Sequence, residues 1–64
     1  MDNQQKNKIV KFIQKNKVII TSELSEFLKI SWNTAQSYLM DLALERRILR
    51  IKKLKVNLWM LNEE

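Results

Sequence analysis

The sequence predicts a small α+β domain, mostly α, in the order helix, short strand, helix, helix, two-stranded hairpin. Three observations carry this. Apolar residues recur at helical spacing in three segments, 2–16, 21–29 and 31–46. Two β-prone runs, 48–53 and 56–61, lie two residues apart near the end of the chain. The 64 residues suffice for one core, so residues 1–64 form a single domain.

The first segment is amphipathic. Ile9, Phe12 and Ile13 form its apolar stripe with Val10 at the side, while Lys8, Lys11 and Lys15 point the other way. These lysines serve either as a solvated face or, for Lys6 and Lys8 near the helix start, as phosphate contacts. The next four residues, KVII, are too few for a helix and rich in β-branched side chains, so a short buried strand or extended connector is expected. Thr21 and Ser22 then offer an N-cap, and Glu23 suits the positive end of the helix dipole. Leu24, Phe27 and Leu28 make the buried stripe of a helix ending near Lys29. Two turns of helix do not hold alone in water, so packing must support them.

Only a tight turn fits between Lys29 and Trp32, which makes the second and third helices a helix-turn-helix pair. Ser31 is a good N-cap for the third, since its hydroxyl can accept from a free N–H of the first turn. Ala35, Leu39 and Leu42 must be buried, with Tyr38 and Ile30 flanking them. The opposite face carries Asn33, Thr34, Gln36, Ser37 and Met40, mostly short uncharged hydrogen-bonding groups that suit the edges of base pairs. In the hairpin, Leu54 and Lys55 make the turn without the Asn-Gly signal. Period two puts Leu49 and Ile51 on one face and Arg50 and Lys52 on the other. Trp59 and Leu61 should face the core. Leu58 and Met60 would then point outward as an apolar strip near Leu54, open to a second subunit, so a homodimer is possible. Residues 62–64 should fray.

Composition excludes several functions. Cys and His are absent, which removes disulfides and the usual zinc ligands; no metal and no cofactor are expected. No nucleophile–base pair can be assembled, so the chain is not an enzyme, and Ser22 and Ser31 are caps. No apolar run approaches a membrane span, and MDNQQKNK is too polar for a signal peptide, so a cytoplasmic location is expected. Membrane-surface binding by the first helix conflicts with burial of its stripe. No small-molecule substrate is expected. Gly and Pro are also absent, which leaves turns to Asn, Ser, Lys or Thr.

The stretch TSELSEFLKISWNTAQSYLMDLALERRILRI resembles the winged helix-turn-helix family of DNA-binding regulators, and the order of elements extends the likeness over nearly the whole chain. A Thr or Ser before a Glu-Leu helix, a turn ending in Ser, and a Thr-small-x-x-x-Leu-x-x-Leu helix running into Arg-x-x-Ile/Leu carry it. The small stand-alone form also looks like winged-helix proteins of archaea and their viruses and plasmids. The resemblance implies a recognition helix whose base-facing residues are Trp32, Asn33, Thr34, Gln36, Ser37 and Met40. Trp32 either touches a sugar or thymine methyl or packs against the helix-turn-helix turn. The junction with the wing usually carries glycine; here Arg47 stands where a left-handed residue would end the helix.

The formal charge is +5, from 12 Lys and Arg against 7 Asp and Glu. Between Ile30 and Glu45 there is no Lys or Arg, so base readout would rest on Asn33, Gln36 and Ser37, with Asn and Gln pairing bidentately with adenine. The cations gather instead at Arg46, Arg47, Arg50, Lys52, Lys53 and Lys55, where they would contact phosphate. Arg46 alternatively pairs with Asp41 or Glu45, and lysines on a hairpin also protect its edge. The leading function is therefore double-stranded DNA binding by a transcriptional regulator, dimeric on two half-sites. The alternative is a winged-helix protein-protein interaction module within a larger nucleic-acid-associated complex.

Overall fold

Asp2 starts the first helix: its carboxylate accepts from the Gln5 N–H at 2.8 Å, and α1 runs Asn3–Asn16. The remaining elements are β1 Val18–Ile20, α2 Thr21–Leu28, α3 Trp32–Leu44, β2 Ile48–Lys53 and β3 Val56–Leu61. The structure, a computed structural model, describes residues 1–63. The order α1-β1-α2-α3-β2-β3, with β3 between β1 and β2 in an antiparallel sheet, is a winged-helix arrangement.

Ile9, Ile13, Ile19, Leu24, Ala35, Leu39, Leu42, Ile48 and Trp59 form one core between the helices and the sheet, each at most 1% exposed. The helical stripes account for six of the nine, as their spacing predicts. Two expectations about burial need correction. Phe27 is 46% exposed and stacks on Phe12, ring centroids 4.2 Å apart, because α2 directs Leu24 into the core and leaves Phe27 to bridge to α1. In KVII only Ile19 is buried; Val18 is exposed and Ile20 half-buried, since strand alternation sends them to the other side of the sheet.

The register shows what that other side contains. Val18, Met60 and Leu49 lie across the three strands in one row, Ile20, Leu58 and Ile51 in the next, and Val56 pairs with Lys53. The outward sheet face is thus apolar except for Lys53. Arg50 pairs with Trp59 and shares the inward face.

A chain without glycine must turn on other residues. The positive-φ positions among the described residues are Lys17, Lys29, Arg46 and Leu54, so Arg and Leu join the turn-makers the composition suggested. Lys29 (φ 57°) closes α2: its N–H donates to the Glu26 carbonyl and the Ile30 N–H to the Ser25 carbonyl. Arg46 (φ 62°) closes α3 in the same way, with the Arg46 and Arg47 N–H groups on the Ala43 and Leu42 carbonyls. The left-handed residue at the wing junction is therefore Arg46, not Arg47, and the helix ends at Leu44, two residues earlier than the spacing suggested. Ile48 must enter the core, and the turn has to come first.

Left-handed φ costs a non-glycine residue roughly 1–2 kcal/mol, partly offset in glycine by its larger unfolded-state freedom. Lys29→Gly should accordingly stabilise the fold by about 0.5 kcal/mol, read as a melting temperature raised by about 2–4 °C. A fall would show that the lysine side chain contributes more than its backbone strain.

Two more details depart from expectation. The N-cap of α2 is Ile20, whose N–H donates to the Glu23 carboxylate at 2.9 Å; Thr21 and Ser22 lie inside the helix. Asn62 does not fray, because its N–H donates to the Arg47 carbonyl and its side-chain amide to the Arg46 carbonyl, at 3.1 and 2.9 Å. Those contacts tie the end of β3 to the turn after α3. Glu64 lies outside the described residues.

Candidate nucleic-acid interface

Ser31 caps α3: its hydroxyl accepts from the Thr34 N–H at 3.2 Å and donates to the Thr34 hydroxyl at 2.9 Å. With Ala35, Leu39 and Leu42 fully buried, the helix has no freedom to rotate about its axis. Asn33 and Ser37, four residues apart, are exposed on its open side, as is Met40 one turn further along. Trp32 is 51% exposed at the first helical position. Thr34 is half-buried with its hydroxyl engaged by the cap.

Gln36 stands at the border between this open side and the core. Its side-chain oxygen accepts from the Thr21 hydroxyl at 2.8 Å, and that hydroxyl accepts from the Trp59 indole N–H at 3.0 Å. A buried indole N–H needs an acceptor, and Thr21, 4% exposed, supplies it. Thr21 thus joins β3, α2 and α3 through one hydroxyl. The sequence reading placed it at a cap; the signal that could have found it is the need of a core tryptophan for an acceptor.

The basic residues sort themselves by strand alternation. Arg50 and Lys52 lie on the same sheet face as Ile48 and Trp59, the side on which α3 packs. Arg50 reaches it, with Nη1 3.9 Å from the Met40 sulfur. Lys53 belongs to the outward face, Lys55 follows the turn at Leu54, and Arg46 and Arg47 sit at the exit of α3. All six are exposed. Among the described residues the single ion pair joins Lys6 to Glu45 at 2.6 Å, tying the start of α1 to the end of α3. Glu45 is therefore committed to Lys6 rather than Arg46, and the charges of the wing are unneutralised by any described carboxylate. Asp41, exposed on α3, is the one acid between Ser31 and Leu44.

Among the described residues, no three His, Cys, Asp or Glu are grouped to hold a metal ion, and no helix is long and apolar enough to cross a membrane. A family model described as FaeA-like protein matches residues 5–63. No curated protein and no solved structure matches the chain.

Proposed function

We propose that this chain, which belongs to the FaeA-like protein family, is a winged-helix transcriptional regulator that binds double-stranded DNA. In this reading α3 enters the major groove with Asn33, Gln36, Ser37 and Met40 toward the bases, and Trp32 and Thr34 at its leading end. Arg46, Arg47, Arg50, Lys52, Lys53 and Lys55 would meet phosphates. The observation that carries the proposal is the contact between Arg50 and Met40, which sets an unpaired cation of the wing directly beside the open face of α3, a face without Lys or Arg. Phosphate contacts supply affinity and register while groove contacts supply selectivity, so the two halves divide the work.

Titration of a random-sequence duplex at low salt tests it. Binding at micromolar concentration or tighter is expected, with log affinity falling against log salt at a slope of roughly −4 to −5 if about five cations meet phosphate. Failure to bind any duplex under those conditions would leave the second reading, a protein-docking module, which the absence of Lys and Arg from α3 favours.

A homodimer through the outward sheet face completes the proposal. Val18, Leu49, Ile51 and Val56 are exposed there beside Leu58 and Met60, and a second copy would bury them without facing charge against charge except at Lys53. Sedimentation equilibrium should show a dimer that Met60→Lys converts to monomer. A monomeric parent chain would count against this interface.

A further inference from the structure

We propose that the groove between α1 and α2 docks an acidic amphipathic helix of a partner protein, which lays an aromatic or leucine side chain on Phe27 and sets carboxylates against Lys8, Lys11 and Lys15. Phe12 and Phe27 stack there with ring centroids 4.2 Å apart and planes within 13°. Phe12 packs against the core, but Phe27 is 46% exposed, so the outer side of the pair is open to solvent. A groove of about 480 Å³ lies over it, walled by Lys8, Lys11, Lys15 and Asn16. Water against an aromatic surface is unfavourable, and an apolar side chain from a partner would displace it.

Lysines keep any helix soluble; these three differ in framing an aromatic surface. Lys8, Phe12 and Lys15 follow one another by four and three residues, which sets them in a line along α1 with Lys11 beside it. Lys8 and Lys15 are thereby about 10 Å apart along the axis, a row rather than a point of charge. No carboxylate lines the groove, and among the described residues none of the three makes an ion pair. The complement of an apolar floor in a cationic frame is an apolar side chain flanked by Asp or Glu at helical spacing. Other occupants match less of it. A second copy of this chain would bring lysine row against lysine row, since an isologous contact sets a patch against itself. Single-stranded nucleic acid stacks successive bases on separate rings, whereas here the two rings cover each other. A small aromatic acid would meet one lysine and leave two. The duplex-binding elements proposed above, α3 and the wing, contribute no residue to this groove, so DNA and the docked helix do not compete for it.

Panning a displayed library of helical peptides of about four turns against the full chain tests this, followed by titration of the most enriched peptide under NMR. Enriched peptides should carry an aromatic residue or leucine with Asp or Glu three or four residues to either side. The bound peptide should shift the amide signals of α1 and Phe27, and Phe27→Ser should weaken it by about tenfold or more. Lys8→Glu with Lys15→Glu, both exposed and unpaired, should abolish binding, and the same peptide with its acids replaced by lysine should bind that double variant instead. This charge swap decides the matter if Phe27→Ser fails to fold by circular dichroism. Enrichment of no peptide, of peptides without acids, or of acidic peptides indifferent to the charge reversal overturns the proposal. So does a homodimer that Phe27→Ser dissociates, which assigns the groove to a second copy. Loss of duplex affinity under Lys8→Ala with Lys15→Ala as large as under Arg50→Ala with Lys52→Ala overturns it likewise, in favour of DNA. Duplex binding by the parent chain is measured separately, so the DNA reading stands or falls on its own result.

Discussion

Trp59→Ala should leave the chain unfolded at 25 °C. The side chain is fully buried at the middle of the central strand, where its strand neighbours are Ile19 and Arg50. Truncating a buried tryptophan costs roughly 3–5 kcal/mol, because the lost transfer energy is joined by that of an unfilled cavity. The same change removes the donor from Thr21. A domain of this size has a total stability of roughly 3–10 kcal/mol, so one substitution consumes most or all of it. Trp59→Phe separates the two effects: it retains much of the ring volume, loses the N–H, and should cost about 1–2 kcal/mol. Far-UV circular dichroism and urea titration of both variants make the comparison. A cooperative transition in Trp59→Ala within a few degrees of the parent would show that the core is organised around some other residue.

Arg50→Ala with Lys52→Ala should lower affinity for duplex DNA by about 10- to 100-fold at low salt and reduce the steepness of the salt dependence by about 2. Both side chains are exposed and make no ion pair among the described residues, so their loss should leave the fold intact. The slope is the more diagnostic readout, since it counts phosphates neutralised and is insensitive to small changes in the amount of folded protein. The matching control is Lys11→Ala with Lys15→Ala on α1, which removes the same charge from a helix that lines no part of the proposed interface. If both pairs weaken binding equally, net charge rather than the placement of the wing governs affinity. If neither does, the wing does not meet phosphate.

Much of this architecture was legible in the amino-acid order. Ile9 and Ile13, Leu24, and Ala35, Leu39 and Leu42 announced three buried stripes, and Ser31 marked the start of α3. The choice of Trp59 and Leu61 as the inward pair of β3 also holds, with Trp59 fully buried and Leu61 packed against the core. Less legible were the joints. Arg46 and Lys29 adopt the left-handed conformation that glycine usually takes, and nothing in their side chains advertises it. Phe27 reads as core from its spacing, yet it bridges to Phe12 at the surface.

Periodicity is a local property, carried by residues two to four apart, so it determined the helices, the strands and the faces each must bury. The commitments of individual polar groups are not local. Thr21 meets partners 15 and 38 residues away, Lys6 meets Glu45 across 39, and Arg50 comes to Met40 only because alternation along β2 turns it toward α3. A hydroxyl that looks like a helix cap in sequence becomes the acceptor for an indole once the two are packed together, because a buried donor left alone is costly. Only the packed chain decides which hydrogen-bonding groups are already spoken for, and hence which remain to face a partner.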